Sequence, residues 1–481
     1  MELAQFIDGT WQAGDGAEIV DRSPTHPQDV LASGPAATVQ QADVAAKAAK
    51  LAWRSWAGAP AHERAAILVA AAARLDERAD AHGRELAREE GKTLAEGVGE
   101  VKRAAQILRY YAAQADAPAG EVFASPRRGE RILVERVPVG VVGVVTPFNF
   151  PVAIPAWKIA PALAYGNTVV WKPASDVPIL AMRLVEALVE GGLPRGVLSL
   201  LVGPSAIGQA IVEHPDVKAV TFTGSTGVGR ALVAACGKLG KPIQTEMGGK
   251  NASVVFADAD LPAAVEQVVL GAFRSTGQKC TATSRLVVER AAMGDVLELL
   301  GERLEGWTVG DPTDPATAMG PLVSRAGRAT VVDGVATAVE QGAKMLLGGE
   351  PYDDDDVRGD GWFYPPTVLR LESTEPAVWR DELFGPVLAV LPADSVDEAY
   401  DRANDGEYGL SAAVFTNDLR KVTAAQESLE VGILHVNSET AGADPHVPFG
   451  GTKGSGYGPK EQGLAAREFY TRHRTTYLKA L

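Results

Sequence analysis

Between residues 141 and 289, short apolar, β-branched runs alternate with stretches of helix length, and this alternation constrains the fold more than any other feature. "NTVVWKP" reads as a strand, "PILAMRLVEALVEGG" as a helix and "GVLSLLVG" as a strand; "AIGQAIVEH" is again a helix and "VKAVTFTG" a strand. A second series follows, with "NASVVFADAD" before the long helix "LPAAVEQVVLGAFRSTG", then the strand "SRLVVER" and the helix "AAMGDVLELLGERLEG". Short buried strands joined by helices form a parallel sheet with crossovers. Ahead of them, residues 40–116 repeat apolar residues at helical spacing, with "AHERAAILVAAAARLDERADAHGRELAREEG" as one long helix, and "RILVERVPVGVVGVVTP" turns to strand. The tail "EFYTRHRTTYL" reads as a separate strand. A chain of 481 residues exceeds one ordinary core, so two or three lobes are expected.

The formal net charge of −15 argues against a nucleic-acid partner, which needs clustered Lys and Arg. A basic pocket for a small anionic substrate remains compatible with it. Two cysteines cannot form a disulfide framework, which points to a reducing compartment. The start "MELAQFIDGTWQAGDG" has no basic segment leading into an apolar run, and the longest apolar stretch, "VGVVGVVTPFNFPVAIPAW", is cut by prolines. A cytoplasmic protein without a membrane span is expected. The acidic run "YDDDDVRGDG" reads as a solvated turn without cation-ligand spacing, and the scattered histidines show no metal pattern.

Two stretches carry candidate chemistry. In "TFTGSTGVGRALVAA" a strand ends, glycines follow and a helix begins, an arrangement whose free N–H groups favour phosphate. Its spacing is not the common dinucleotide fingerprint, so a plain tight turn remains open. "STGQKCTATSR" places Cys280 after a turn and beside Lys279, off any apolar stripe. A thiolate favoured by its surroundings is a nucleophile, and a buried structural thiol is the alternative. Cys236 in "ALVAACGKLG" reads as structural.

Seven motifs occur in order: "TPFNFP", "GNTVVWKPAS", "FTGSTGVG", "EMGGKN", "GQKC", "ELFGPV" and "PFGGTKGSGYG". Together they resemble the NAD(P)-dependent aldehyde dehydrogenase superfamily, over essentially the whole chain. The resemblance implies an α/β fold with a Rossmann-type cofactor domain (1–118 and 139–248), an α/β catalytic domain (249–450) and a small β oligomerisation element (119–138 and 464–481). It implies that Cys280 is the nucleophile, Glu246 the general base, and Asn149 the amide that binds the oxyanion with the Cys280 N–H. Cofactor contacts fall on Thr146, Pro147, Phe148, Lys172 and Ser175, on Gly224, Ser225, Thr226, Gly227 and Gly229, and on Glu246, Glu382 and Phe384. No metal is implied. Members that pass the acyl group to coenzyme A lack the glutamate, so Glu246 favours a free acid as product.

NAD-specific relatives often carry a glutamate where this chain has Ser175. A serine removes a charge that would repel a 2′-phosphate, and Lys172 could pair with one, so NADP is slightly favoured over NAD. Pocket-lining positions of the family fall on Arg103 and Arg274, with Phe150, Trp157, Thr281 and Phe449 around them. The two arginines suit a distal carboxylate, or else form surface ion pairs. The loop "ETAGADPHV" is similar to that of the 2-oxoglutarate semialdehyde (2,5-dioxopentanoate) dehydrogenases. A broad aliphatic or aromatic aldehyde dehydrogenase is the alternative reading, with a coenzyme A-acylating enzyme or a non-catalytic binding protein more remote. The partners implied are a small aldehyde and further copies of the chain, as a homodimer or homotetramer.

Overall fold

The computed structural model describes residues 1–117, 119–352, 358 and 360–479. Residues 353–357 and 359 of the turn expected at "YDDDDVRGDG" lie outside them. Two sheets organise the molecule. In the first, Leu198–Leu200, Thr168–Lys172, Val141–Val145, Val217–Thr223 and Ile243–Glu246 lie side by side and parallel. Antiparallel Gln5–Ile7 and Gly456–Tyr457 flank them. In the second, Thr367–Arg370, Val387–Ala393, Thr283–Glu289, Asn251–Val255, Ser411–Phe415 and Ile433–Val436 are parallel, with Lys344–Leu347 antiparallel at one edge.

Alternation within each strand explains the doubly buried sheets. Val142 and Val144 face one apolar core and Val141 the other. Leu286 and Val288 likewise face away from Val287. Both faces are apolar, so helices must cover both.

Three details differ from the sequence reading. The long helix expected after Pro60 breaks at Arg78 (φ −110°, ψ 11°) into Ala61–Glu77 and Ala79–Glu90. The tail strand starts only at Thr471; Ala465–Tyr470 is a helix whose Ala466, Phe469 and Tyr470 join the first core. The stretch "GTKGSGYG" returns to the first sheet, where Gly456 pairs with Glu246. Thr471–Lys479 then pairs along its whole length with Glu130–Pro138, which pairs with Gly120–Ala124 in a separate three-stranded sheet.

Candidate active site

The order of the first sheet reverses direction between Val141–Val145 and Val217–Thr223. Crevices at such a switch point, beyond the carboxyl ends of the strands, bind nucleotides in open α/β sheets. A cleft of about 660 Å³ opens there. Thr146, Pro147 and Phe148 follow the first strand into its wall, Lys172 and Ser175 follow the second, and Gly224 and Ser225 follow the third. Glu382 and Phe384 enter from the second sheet's side. Glu382 Oε1 accepts from Gly249 N–H at 3.0 Å, and burial pushes its carboxyl up to about 7. A Cβ on Gly248 would lie 2.0 Å from Glu382 Oε2, so a side chain there would displace the Glu382 carboxylate. Burial lowers Lys172 to about 8, opposed by Asp176. Ser175 Oγ donates to Gly203 O at 2.8 Å.

The cleft fits a dinucleotide on two counts. The helix Thr226–Leu239 starts at its wall, and buried Thr223 Oγ1, in that wall, has no partner among the described residues. Thr226, Gly227 and Gly229 do not themselves line it. Gly229 serves packing, since a Cβ there would lie 2.4 Å from Met247 Sδ.

Cys280 is delivered by a strained loop between the helix Leu261–Phe273 and the strand Thr283–Glu289. Ser275, Thr276 and Gly277 all have positive φ (53°, 56° and 68°). Such a conformation costs about 1–3 kcal/mol per non-glycine residue and persists only when surrounding contacts dictate it. Here Ser275 N–H and Oγ donate to Glu96 Oε1 at 2.9 and 3.1 Å, and Thr276 Oγ1 donates to Gly320 O at 3.0 Å. The other oxygen of Glu96 accepts from Thr93 N–H in the capping box of the helix Leu94–Gln114, so one carboxylate ties that helix start to the loop. Downstream, Asn251 Nδ2 donates to the carbonyls of Cys280 and Ala282, each at 2.8 Å.

Burial, with Glu382 and Glu246 nearby, pushes the Cys280 thiol up to about 12, against favourable N–H groups of Thr281 and of Cys280 itself. Lys279 does not activate it. The Lys279 ammonium turns to Leu270 O at 3.3 Å and Glu439 Oε2 at 3.8 Å. Deprotonating this thiol therefore requires a base.

Asn149 is buried and donates through Nδ2 to Gln278 O at 2.9 Å, in the wall of the cleft that Cys280 also lines. Its second amide hydrogen is left for a ligand. Glu246, at the end of its strand, lines neither the cleft nor the tunnel described next. Its Oε2 accepts from Gly451 N–H at 3.2 Å. Burial and the Glu461 carboxylate hold it well above the usual carboxylate range.

On the far side of Cys280 lies a tunnel of about 310 Å³. All six substrate-side residues line it: Arg103, Phe150, Trp157, Arg274, Thr281 and Phe449. The Trp157 and Phe449 rings are 5.6 Å apart. Arg103 Nη1 contacts Asp444 Oδ1 at 3.2 Å and Gln106 Oε1 at 3.0 Å, while Arg274 stands 3.7 Å from Glu439 Oε1. Both guanidiniums are part-exposed and reach the tunnel. Cys280 lines tunnel and cleft alike, so the thiol stands at their junction.

A thiol between a dinucleotide cleft and an aldehyde-sized tunnel agrees with the comparisons to known proteins. The model of the aldehyde dehydrogenase family matches residues 11–476. The chain belongs to the aldehyde dehydrogenase family. It is 40% identical to an α-ketoglutaric semialdehyde dehydrogenase of Bacillus subtilis, covering 98% of this chain and 97% of that protein. It is 37% identical to a 2,5-dioxopentanoate dehydrogenase of Saccharolobus solfataricus, covering 99% of each. The crystal structure of an NAD-dependent aldehyde dehydrogenase from Sinorhizobium meliloti superposes with a TM-score of 0.96 at 32% identity, covering 100% of this chain and 95% of that one.

The aldehyde dehydrogenase also holds site residues that the motifs did not single out. Lys158 lies on the wholly buried helix Ala153–Ala164 and is ion-paired to buried Glu461. Its ammonium donates to Thr221 Oγ1 at 2.9 Å, as does Gln244 Nε2 at 3.0 Å. The Trp157 indole N–H donates to Glu461 Oε2 at 2.6 Å. This buried polar cluster backs Glu246, whose proton affinity Glu461 raises and Lys158 lowers. The available signal was a lone lysine inside the apolar run "AIPAWKIAPALA".

Proposed function

We propose that the protein oxidises a semialdehyde bearing a distal carboxylate, with 2-oxoglutarate semialdehyde as the substrate that fits best, to the free acid. The observation that carries this is the position of Cys280, in the shared wall of the cofactor cleft and of a tunnel bearing Arg103 and Arg274. The names of the relatives support the same substrate. When bound in the cleft, oxidised nicotinamide supplies the hydride acceptor. Lys172, Ser175, the turn at Gly224–Ser225 and Glu382 would hold the cofactor.

The chain's own residues do the rest. Glu246 takes the Cys280 thiol proton and releases it to solvent, Cys280 Sγ attacks the aldehyde carbon, and the resulting thiohemiacetal alkoxide sits between Asn149 Nδ2 and the Cys280 N–H. Two fixed donors aimed at a developing oxyanion need no reorganisation as the charge forms, which makes them worth more than bulk solvent. After oxidation at carbon the acyl group remains as a Cys280 thioester. For hydrolysis the Glu246 carboxylate leaves its Gly451 bond, turns toward Cys280 and takes the proton of the water that attacks the thioester.

Arg103 and Arg274 select the substrate. A guanidinium holds a carboxylate through two parallel bonds, and at these part-exposed arginines the loss of the pair costs about 1–2 kcal/mol, less than in a fully desolvated site. Arg103→Leu and Arg274→Leu should each lower kcat/KM for 2-oxoglutarate semialdehyde by at least about tenfold. Hexanal should be oxidised as well as before or better. An equal fall for both aldehydes would assign the arginines to their ion pairs with Asp444 and Glu439.

Both cofactors are accommodated, because Ser175 brings no charge and the Lys172 cation is offset by Asp176. Ser175→Glu should shift the kcat/KM ratio toward NAD, since a carboxylate repels a 2′-phosphate and accepts from a free ribose diol. An unchanged ratio would place Ser175 away from the ribose.

Assembly as a homodimer or homotetramer is supported by the edges of the three-stranded sheet, where Gly120–Ala124 is exposed throughout. Sedimentation velocity tests this. Among the described residues no helix is long and apolar enough to cross a membrane, which is compatible with a cytoplasmic enzyme.

A further inference from the structure

A buried lysine stands against the main chain of the oxyanion donor. Lys92 is 1% exposed, yet its side chain reaches the tunnel wall. Its ammonium donates to Glu100 Oε2 and to the carbonyl oxygen of Asn149, each at 2.7 Å, and lies 4.1 Å from the centre of the Phe150 ring. The other oxygen of Glu100 accepts from the N–H groups of Val152 and Ala153 at 2.9 and 3.2 Å. Lys92 and Glu100 thus grip the backbone of residues 149–153 at both ends. That stretch carries Asn149 in the wall of the cleft and Phe150 in the wall of the tunnel.

A buried ion pair is weak evidence for stability. Desolvation offsets much of the attraction in a buried ion pair, and apolar side chains of equal volume usually serve as well. An apolar pair cannot hold the Asn149 carbonyl in one direction. That direction fixes the peptide plane and, through it, the Asn149 side chain. One hydrogen of Nδ2 is spent on Gln278 O at 2.9 Å, so the aim of the second follows from how the backbone is held. Glu90, the next carboxylate at 4.0 Å, is pushed by burial up to about 8 and competes little for the ammonium at neutral pH.

We propose that Lys92 is a positioning residue for the oxidation step: held by Glu100, its ammonium fixes the Asn149 peptide so that the free amide hydrogen of Asn149 meets the developing oxyanion. This rests on the reading of Asn149 as oxyanion donor. Lys92→Met alone would strand Glu100, so the informative variant is Lys92→Met with Glu100→Gln, which removes both charges and keeps an acceptor for Val152 and Ala153. Rapid mixing with NAD and saturating 2-oxoglutarate semialdehyde reads the burst of reduced cofactor. The burst rate should fall roughly 10–100-fold, the scale of a small misplacement of a catalytic group. The dissociation constant for NAD, read by quenching of protein fluorescence, should stay close to wild type.

Asn149→Ala should itself slow the burst by about 10²–10³-fold. Adding the double change to Asn149→Ala should cost less than about threefold more, because residues acting through one another are not additive. A full burst rate in the Lys92/Glu100 variant would overturn the inference. So would the same loss with and without Asn149, or a double variant that fails to fold by circular dichroism, which would make the pair structural. A full burst rate in Asn149→Ala would instead reject the oxyanion reading itself.

Discussion

Cys280→Ala is expected to lower aldehyde oxidation by about 10⁴–10⁶-fold, the loss seen when a catalytic nucleophile is removed. NAD and NADP should bind as in the wild type, because the cleft walls at Lys172, Ser175 and Glu382 do not depend on the thiol. No other group can take its place. Cys236, the remaining cysteine, is fully buried on the helix Thr226–Leu239 and lines neither cavity. The measurement pairs steady-state formation of reduced cofactor with cofactor binding by fluorescence. Turnover above a few per cent of wild type would mean that the chemistry does not pass through Cys280.

Glu246→Gln separates the two halves of the reaction. One equivalent of reduced cofactor per site should still form, and turnover should then drop by about 10²–10⁴-fold, the usual contribution of a general base. Intact-mass spectrometry should find the acyl group on Cys280. The pH profile adds an independent check. Burial and Glu461 hold Glu246 above the ordinary carboxylate range, so in the wild type more of it is protonated and idle at lower pH. Hydrolysis should therefore rise with pH, about tenfold per unit below that pKa, and level off above it. The glutamine variant should lose that dependence, and full steady-state activity in it would remove Glu246 from the base role.

What the sequence made legible follows a physical division. Doubly apolar strands such as "TVVWK" and "SRLVVE" report their own burial, so the parallel strands between residues 141 and 289 could be read from local pattern, whereas the second sheet's strands beyond residue 289 were not read. Cys280, Asn149 and the tunnel residues other than Arg103 lie in or near motifs that carry the family resemblance, whereas Arg103 stands on the helix Leu94–Gln114, away from them. Contacts between distant segments were not legible. Glu96 reaches Ser275 across 179 positions, and Gly451 meets Glu246 across 205. No local periodicity reports such pairs. Side-chain direction was equally hidden: Lys279 adjoins Cys280 in sequence but points toward Leu270 and Glu439. The strain at Ser275 and Thr276 had no compositional sign either, because only Gly277 among the three is a residue that favours positive φ.

The central claim is that this aldehyde dehydrogenase takes a carboxylate-bearing semialdehyde into the arginine-lined tunnel. Comparing kcat/KM of the wild type for 2-oxoglutarate semialdehyde and for hexanal, under one set of conditions and with each cofactor, tests it most directly. The wild type should prefer the semialdehyde by at least about tenfold, matching the carboxylate–guanidinium pair it gains. Equal values, or a preference for hexanal, would contradict it.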